Sequence, residues 1–266
     1  MTHAKSAARA VQDSTTFRTI ARIGYVVLGI VHIVIGVLAI SITGGGGQNA
    51  DQGGAMEQIR QAPLGALLLW VIALGLAALA VWQITEAVVE RDPDSKKKWG
   101  HRVKFIGTAV AYIAIAITAV VYALGGQSDS SSSSTSFSAQ LMATPGGVAL
   151  LVGVGLVVLA IGIAFIVRGF TRAFEKHLDL PAGAARKGIV AFGVVGYVAK
   201  GIAVGVTGVL FVVAALTHDA ETAGGLDAAL HSLAALPFGP LILWIVGGGL
   251  IVYGVFCFAR ARYARM

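Results

Sequence analysis

Charge is what this chain has least of. Asp, Glu, Lys and Arg make up 12% of its 266 residues, about half the ~25% of an ordinary soluble domain. Hydrophobic residues make up 56%, and the mean hydropathy is +0.81. So little charge cannot cover the surface of a soluble domain of this length. There is one cysteine, Cys257, which excludes an intramolecular disulfide and any cysteine-based metal cluster; it reads as a small buried or lipid-facing residue. Proline is scarce, six residues, and glycine is plentiful, 35 residues, without the three-residue period of collagen. A polytopic membrane protein remains.

Six apolar runs are each near the ~20 residues a helix needs to cross ~30 Å of hydrocarbon: Ile23–Ile42, Leu64–Ile84, Phe105–Leu124, Gly146–Val167, Gly188–Leu216 and Leu241–Ala259. They lack the strict alternation of barrel strands, so they read as helices, which satisfy their backbone donors internally. The first is too long for a signal peptide and has no small-residue cleavage pattern, so it is expected to remain as an anchor.

The cations are distributed unevenly. The N-terminal tail, the second-to-third and fourth-to-fifth connections and the C-terminal tail hold 18 of the 20 Lys and Arg residues. The three remaining connections hold Arg60 together with Asp51, Glu57, Asp129, Asp219, Glu221 and Asp227. The positive-inside rule then predicts both termini in the cytoplasm and a multi-pass protein of the cell (inner) membrane. Topology accounts for the formal net charge of +7 without a nucleic-acid partner.

The helices repeat in pairs. Pro63-Leu64-Gly65, Pro145-Gly146-Gly147 and Pro237-Phe238-Gly239 open the even helices, with the proline expected in the first helical turn. In the odd helices, Gly24-Tyr25, Gly29 and Gly36 recur 172 positions on as Gly196-Tyr197, Gly201 and Gly208. Arg102, Phe105 and Tyr112 fall 80 positions after Arg22, Tyr25 and His32. The expected organisation is a cytoplasmic tail (1–22), repeats over 23–90, 100–172 and 186–260, and a cytoplasmic C-terminal tail (261–266). Copies in one orientation imply an all-α, pseudo-three-fold bundle of three helix hairpins.

The pattern basic–x–Gly-Tyr–four residues–Gly, followed by Pro–x–Gly, resembles the bacterial domain-of-unknown-function family 1206 over Phe17–Ala259; the middle repeat has Lys104-Phe105 in place of Gly-Tyr. The resemblance implies small integral membrane proteins with tandem helix pairs, and no activity.

In the connections, Leu226, Leu230 and Leu233 predict a short amphipathic surface helix within Thr217–Leu236, and Met56 and Ile59 a weaker one. Gly44–Gly54 reads as a flexible loop, and the serine run Gln127–Ser138 as disordered. Asp92-Pro93-Asp94 marks a turn before the solvated cluster Lys96–Lys98, and Trp99 suits a membrane interface.

Four residues form a candidate intramembrane polar site: His32, Glu86, Tyr112 and Lys200. Lys200 is the one formal charge inside the six runs. A charge at the midplane is a functional hypothesis, and the competing reading is a structural pair or a stem snorkelling to the surface; the expected partner is Glu86. His32 lies near mid-membrane and suits proton transfer or an interhelical hydrogen bond, with Tyr112 across the pseudo-axis as its partner. His218, His231, Asp219 and Asp227 match no metal-ligand spacing, and the glycine runs are not phosphate loops. No catalytic residue, cofactor or metal is expected. The functional expectation is a non-enzymatic structural, lipid-binding or partner-scaffolding protein, the alternative a small transporter or channel near the pseudo-axis. The expected partners are the lipid bilayer and another membrane protein or a second copy of the chain.

Overall fold

The computed structural model describes residues 14–90 and 94–265 with Ser6, Ala8, Ala10 and Val11, and only the backbone of residues 95–97. The Asp92-Pro93 part of the expected turn, the side chains of Lys96 and Lys97, and the tail cations Lys5 and Arg9 lie outside the described residues. Six helices are long and apolar enough to span a membrane: α1 (Thr15–Ser41), α3 (Gly65–Val89), α4 (Ser95–Ala123), α6 (Gly147–Phe170), α7 (Ala184–Thr217) and α9 (Gly239–Tyr263). Three short helices, α2 (Gln52–Gln61), α5 (Ser130–Met142) and α8 (Gly225–Ala234), join the members of each hairpin. The protein is an all-α polytopic bundle of three tandem helix pairs.

Each even helix starts in the same way. Leu64, Gly146 and Phe238 adopt the left-handed conformation, with φ of 61, 75 and 63°. They turn the chain from the short helix into Gly65, Gly147 or Gly239. A Cβ on Gly147 would stand 1.6 Å from the Leu141 carbonyl oxygen, so only glycine fits where the short helix abuts the next span. The preceding prolines lie in this turn and not in the first helical turn, because the left-handed residue must come before the helix can begin.

The spans pack in the order α4, α3, α1, α9, α7, α6. Each inter-repeat junction pairs an even helix with an odd one along small residues, the packing device of helices in lipid. Between α1 and α9, a Cβ on Gly29 would lie 2.6 Å from the Gly254 carbonyl oxygen, and one on Gly36 2.5 Å from that of Gly247. The same seam joins α6 to α7 through Gly155 with Gly208 and Gly162 with Gly201. The matching positions of α3 and α4 are alanines, Ala73, Ala80, Ala109 and Ala116, all buried. Three equivalent seams are the physical content of the pseudo-three-fold bundle. The ring is open on one side: among the described residues no extended contact joins α4 to α6, the two spans of repeat 2.

One face carries the short helices and the other the chain termini. On the first, Asn49 donates to the Asp129 carboxylate (3.2 Å), Asp227 accepts from the Ala50 N–H (2.7 Å), and the Ser131 hydroxyl donates to the Gly224 carbonyl (2.7 Å). The three repeats are thus stitched together outside the spans. The helices expected around Met56 and Leu230 are α2 and α8. The serine run differs from its expected disorder: it forms α5, N-capped by Asp129, which accepts from the N–H groups of Ser131 and Ser132. On the terminal face, Leu178 bridges to Ala264 and Asp179 N–H donates to the Tyr263 carbonyl (2.8 Å), tying the fourth-to-fifth connection to the C-terminus.

Candidate functional site

Lys200 stands near the middle of α7, a 34-residue helix, about 24 Å along the axis from Ala184 at 1.5 Å per residue. Its Nζ donates to His32 Nε2 at 3.2 Å. The other ring nitrogen, Nδ1, faces the Leu28 carbonyl at 2.8 Å. A carbonyl can only accept, so the proton sits on Nδ1 and Nε2 is left to accept from the ammonium. The ammonium also lies over the rings of Tyr253 (4.6 Å) and Phe165 (5.2 Å), and His32 packs on Tyr253 with centroids 4.8 Å apart. One cation thus joins α1, α6, α7 and α9 through a neutral acceptor and two aromatic faces, which attract cations through their quadrupoles.

Two pairings expected from sequence are therefore corrected. Lys200 meets His32, not Glu86. The Glu86 carboxylate, near the terminal end of α3, lies in the field of Glu90 and Lys104 instead. His32 packs against Tyr253, not Tyr112. Tyr112 is buried in the same apolar core, in electrostatic reach of Tyr25, Tyr197, Cys257 and Arg260.

Toward the terminal face, an aromatic cluster fills the bundle. Phe174, in the 3₁₀ turn Ala173–His177, stacks on Tyr197 (5.3 Å) and meets Phe256 edge-on (5.2 Å), while Tyr197 meets Tyr253 (5.3 Å). Two arginines cover this cluster. Arg260 lies 4.4 Å over the Tyr25 ring and donates to its hydroxyl (3.3 Å), and Arg168 lies 5.3 Å over Tyr197. In sequence Arg260 falls just past the apolar run, which ends at Ala259, and was not singled out; α9 continues to Tyr263 and carries it into the bundle. A signal was present. Glu86, Arg168 and Arg260 occupy one repeat position, 82 and 92 residues apart, as the Pro–x–Gly openings do.

On the other face, a cleft of about 450 Å³ lies between α5 and α8, lined by Ser131, Ser132, Thr135, Ser136, Glu221 and Asp227 among others. His231 turns back on its own helix, with Nδ1 3.1 Å from the Asp227 carbonyl oxygen. Among the described residues no three His, Cys, Asp or Glu side chains are gathered to hold a metal.

These features define a class: a multi-pass helical membrane protein of three tandem hairpins, with a basic and aromatic interior in one half of the bundle. Within that class, the chain belongs to the family described as Domain of Unknown Function (DUF1206), whose profile matches residues 23–90, 103–172 and 195–264. It is similar to an uncharacterised protein of Bacillus subtilis (strain 168), YxxB, with 33% identity over 253 residues that cover 92% of this chain and 90% of that one. No solved structure matches the chain.

Proposed function

We propose that the protein is a non-enzymatic, lipid-binding structural component of the cell membrane, with both termini in the cytoplasm. One observation carries this reading. The charge in the middle of the bundle is engaged by His32, Tyr253 and Phe165, and continuous spans packed on small-residue seams surround it. Transporter sites near the midplane are typically built from broken helices whose ends face the substrate, whereas Lys200 lies within an unbroken helix. The orientation rests on the excess of Lys and Arg on the terminal face.

The test is reconstitution into vesicles that bear imposed proton and potassium gradients. The reading expects no leak above protein-free vesicles, in either the wild type or Lys200→Met, and phospholipid that co-purifies with the detergent-extracted protein. A leak abolished by Lys200→Met would replace it with the transporter reading. Orientation is tested in a Cys257→Ser background, where Ser132→Cys should label from outside intact cells and a tag on either terminus should be protected.

A further inference from the structure

Repeat 2 lacks the glycine pair that closes the other two hairpins. In repeat 1, a Cβ on Gly24 would stand 2.3 Å from the Gly75 carbonyl oxygen, so α1 and α3 meet backbone to backbone. The equivalent positions in repeat 3, Gly196 and Gly249, are as close to their neighbours: 2.6 Å from the Tyr253 Cα and 2.3 Å from the Ala199 Cβ. In repeat 2 the same positions hold Lys104 and Val157. Side chains of that size keep backbones apart, which accounts for the opening between α4 and α6. Gly107 and Gly153, one on each of these helices, have open space where a Cβ would be.

The terminal end of this opening is basic. The exposed Lys104 of α4 stands at the position of the missing glycine, and Arg168 of α6, eleven residues after Val157 and so on the same helical face, lies in its field. The Nε–H group of Arg168 is buried without a hydrogen-bond partner. A buried donor left unpaired costs ~1–3 kcal/mol, more for a charged group, so the Arg168 guanidinium calls for an acceptor. Nearby, partial desolvation and then the positive charges of Arg168, Lys104 and Arg260 push the His177 imidazole down to about 4. The carboxylates in the field of Lys104 are Glu86 and Glu90, and Glu90 already faces His101 at 3.4 Å. On α6, Leu150, Val157 and Ile161 share the helical face of Arg168 and are exposed, as surfaces in contact with acyl chains are.

We propose that the opening between α4 and α6 binds an anionic phospholipid, its phosphate held by Lys104 and Arg168 and its chains lying against the exposed apolar face of α6. Guanidinium groups bind phosphate through short, charge-assisted, often paired hydrogen bonds. Basic pockets between spans on the cytoplasmic side are the sites where such headgroups bind. The proposal rests on the lipid-binding reading above and gives it a headgroup and an address.

The experiment uses the full chain in a neutral detergent, stripped of lipid. Thermal unfolding and native mass spectrometry follow titration with phosphatidylglycerol, phosphatidylcholine or inorganic phosphate at matched ionic strength. Phosphatidylglycerol should stabilise the protein and remain bound, and phosphatidylcholine should do neither. Arg168→Gln and Lys104→Gln should weaken retention roughly ten- to a hundredfold, the loss of one charged hydrogen bond, while Lys187→Gln, an exposed cation on the same face, should not. Lys104→Gln changes an exposed side chain and carries the test should Arg168→Gln fail to fold. Retention unchanged in Lys104→Gln, or an equal effect of inorganic phosphate alone, would overturn the site. Retention of both lipids alike would leave lipid binding standing and remove this site, whereas a gradient leak would count against the structural reading.

Discussion

Lys200 and His32 meet 168 residues apart in sequence and 3.2 Å apart in space, with the histidine tautomer set by the Leu28 carbonyl. His32→Phe keeps the packing on Tyr253 but removes the acceptor, and should destabilise the protein by ~1–3 kcal/mol. Lys200→Met removes a desolvated charge as well as a hydrogen bond, so its net cost should be smaller. The double variant should recover most of the His32→Phe loss. Thermal unfolding of all four proteins in detergent measures the coupling, and additivity within error would refute the pairing.

The glycine seams predict a contrast between positions with the same residue. Gly29→Ala drives a methyl into the Gly254 carbonyl oxygen, backbone against backbone, and should cost ~1–3 kcal/mol as overpacking. Gly153→Ala meets nothing within 4 Å and should stabilise its helix by roughly 0.5–1 kcal/mol. Unfolding temperatures that shift alike in the two variants would contradict the seam.

Asp51 caps α2 through Oδ1, which accepts from the Gly54 N–H (2.9 Å), while its buried Oδ2 has no partner. Burial, then the nearby Asp227 and Asp129 carboxylates, raise its pKa above the ordinary aspartate value of 3.8. A carboxyl raised in the folded state favours folding below its unfolded pKa and loses that contribution as pH rises through its folded value. Asp51→Asn keeps a capping oxygen and removes the charge. The stability of the variant relative to wild type should therefore grow from pH 4 to pH 7. A difference independent of pH would show that the carboxylate is not desolvated in the folded protein.

The serine run supplies a fourth test. Asp129→Ala removes the cap of α5 and should cost about 1 kcal/mol. Deleting Ser130–Ser136 should destabilise the protein further, because the Ser131–Gly224 hydrogen bond is lost with it. Hydrogen exchange over 130–142 as fast as in a free peptide would mean that the helix does not form.

The spans, their pairing and two of the three surface helices were legible because each is written locally, in apolar runs, in Pro–x–Gly turns and in leucines at helical spacing. Helix α5 was not, since its composition is that of a disordered segment; an aspartate cap and a bond to another repeat override that preference. The partner of Lys200 was not legible, because opposite charge points to Glu86. A bundle interior can hold a cation with a neutral imidazole and aromatic faces, and no local pattern marks a contact between helices so distant in sequence. The opening in repeat 2 was half visible: Lys104 in place of glycine was plain, but its meaning depended on knowing that the glycine lines a helix–helix seam.

The α1–α9 seam also bears on how the molecule is made. Gly29 and Gly36 leave the ribosome more than two hundred residues before Gly247 and Gly254. At ~5–20 residues per second, the first span waits on the order of ten to forty-five seconds for its partner. During that interval the nascent chain presents a narrow small-residue groove to the bilayer, and the sixth span is the one that fills it.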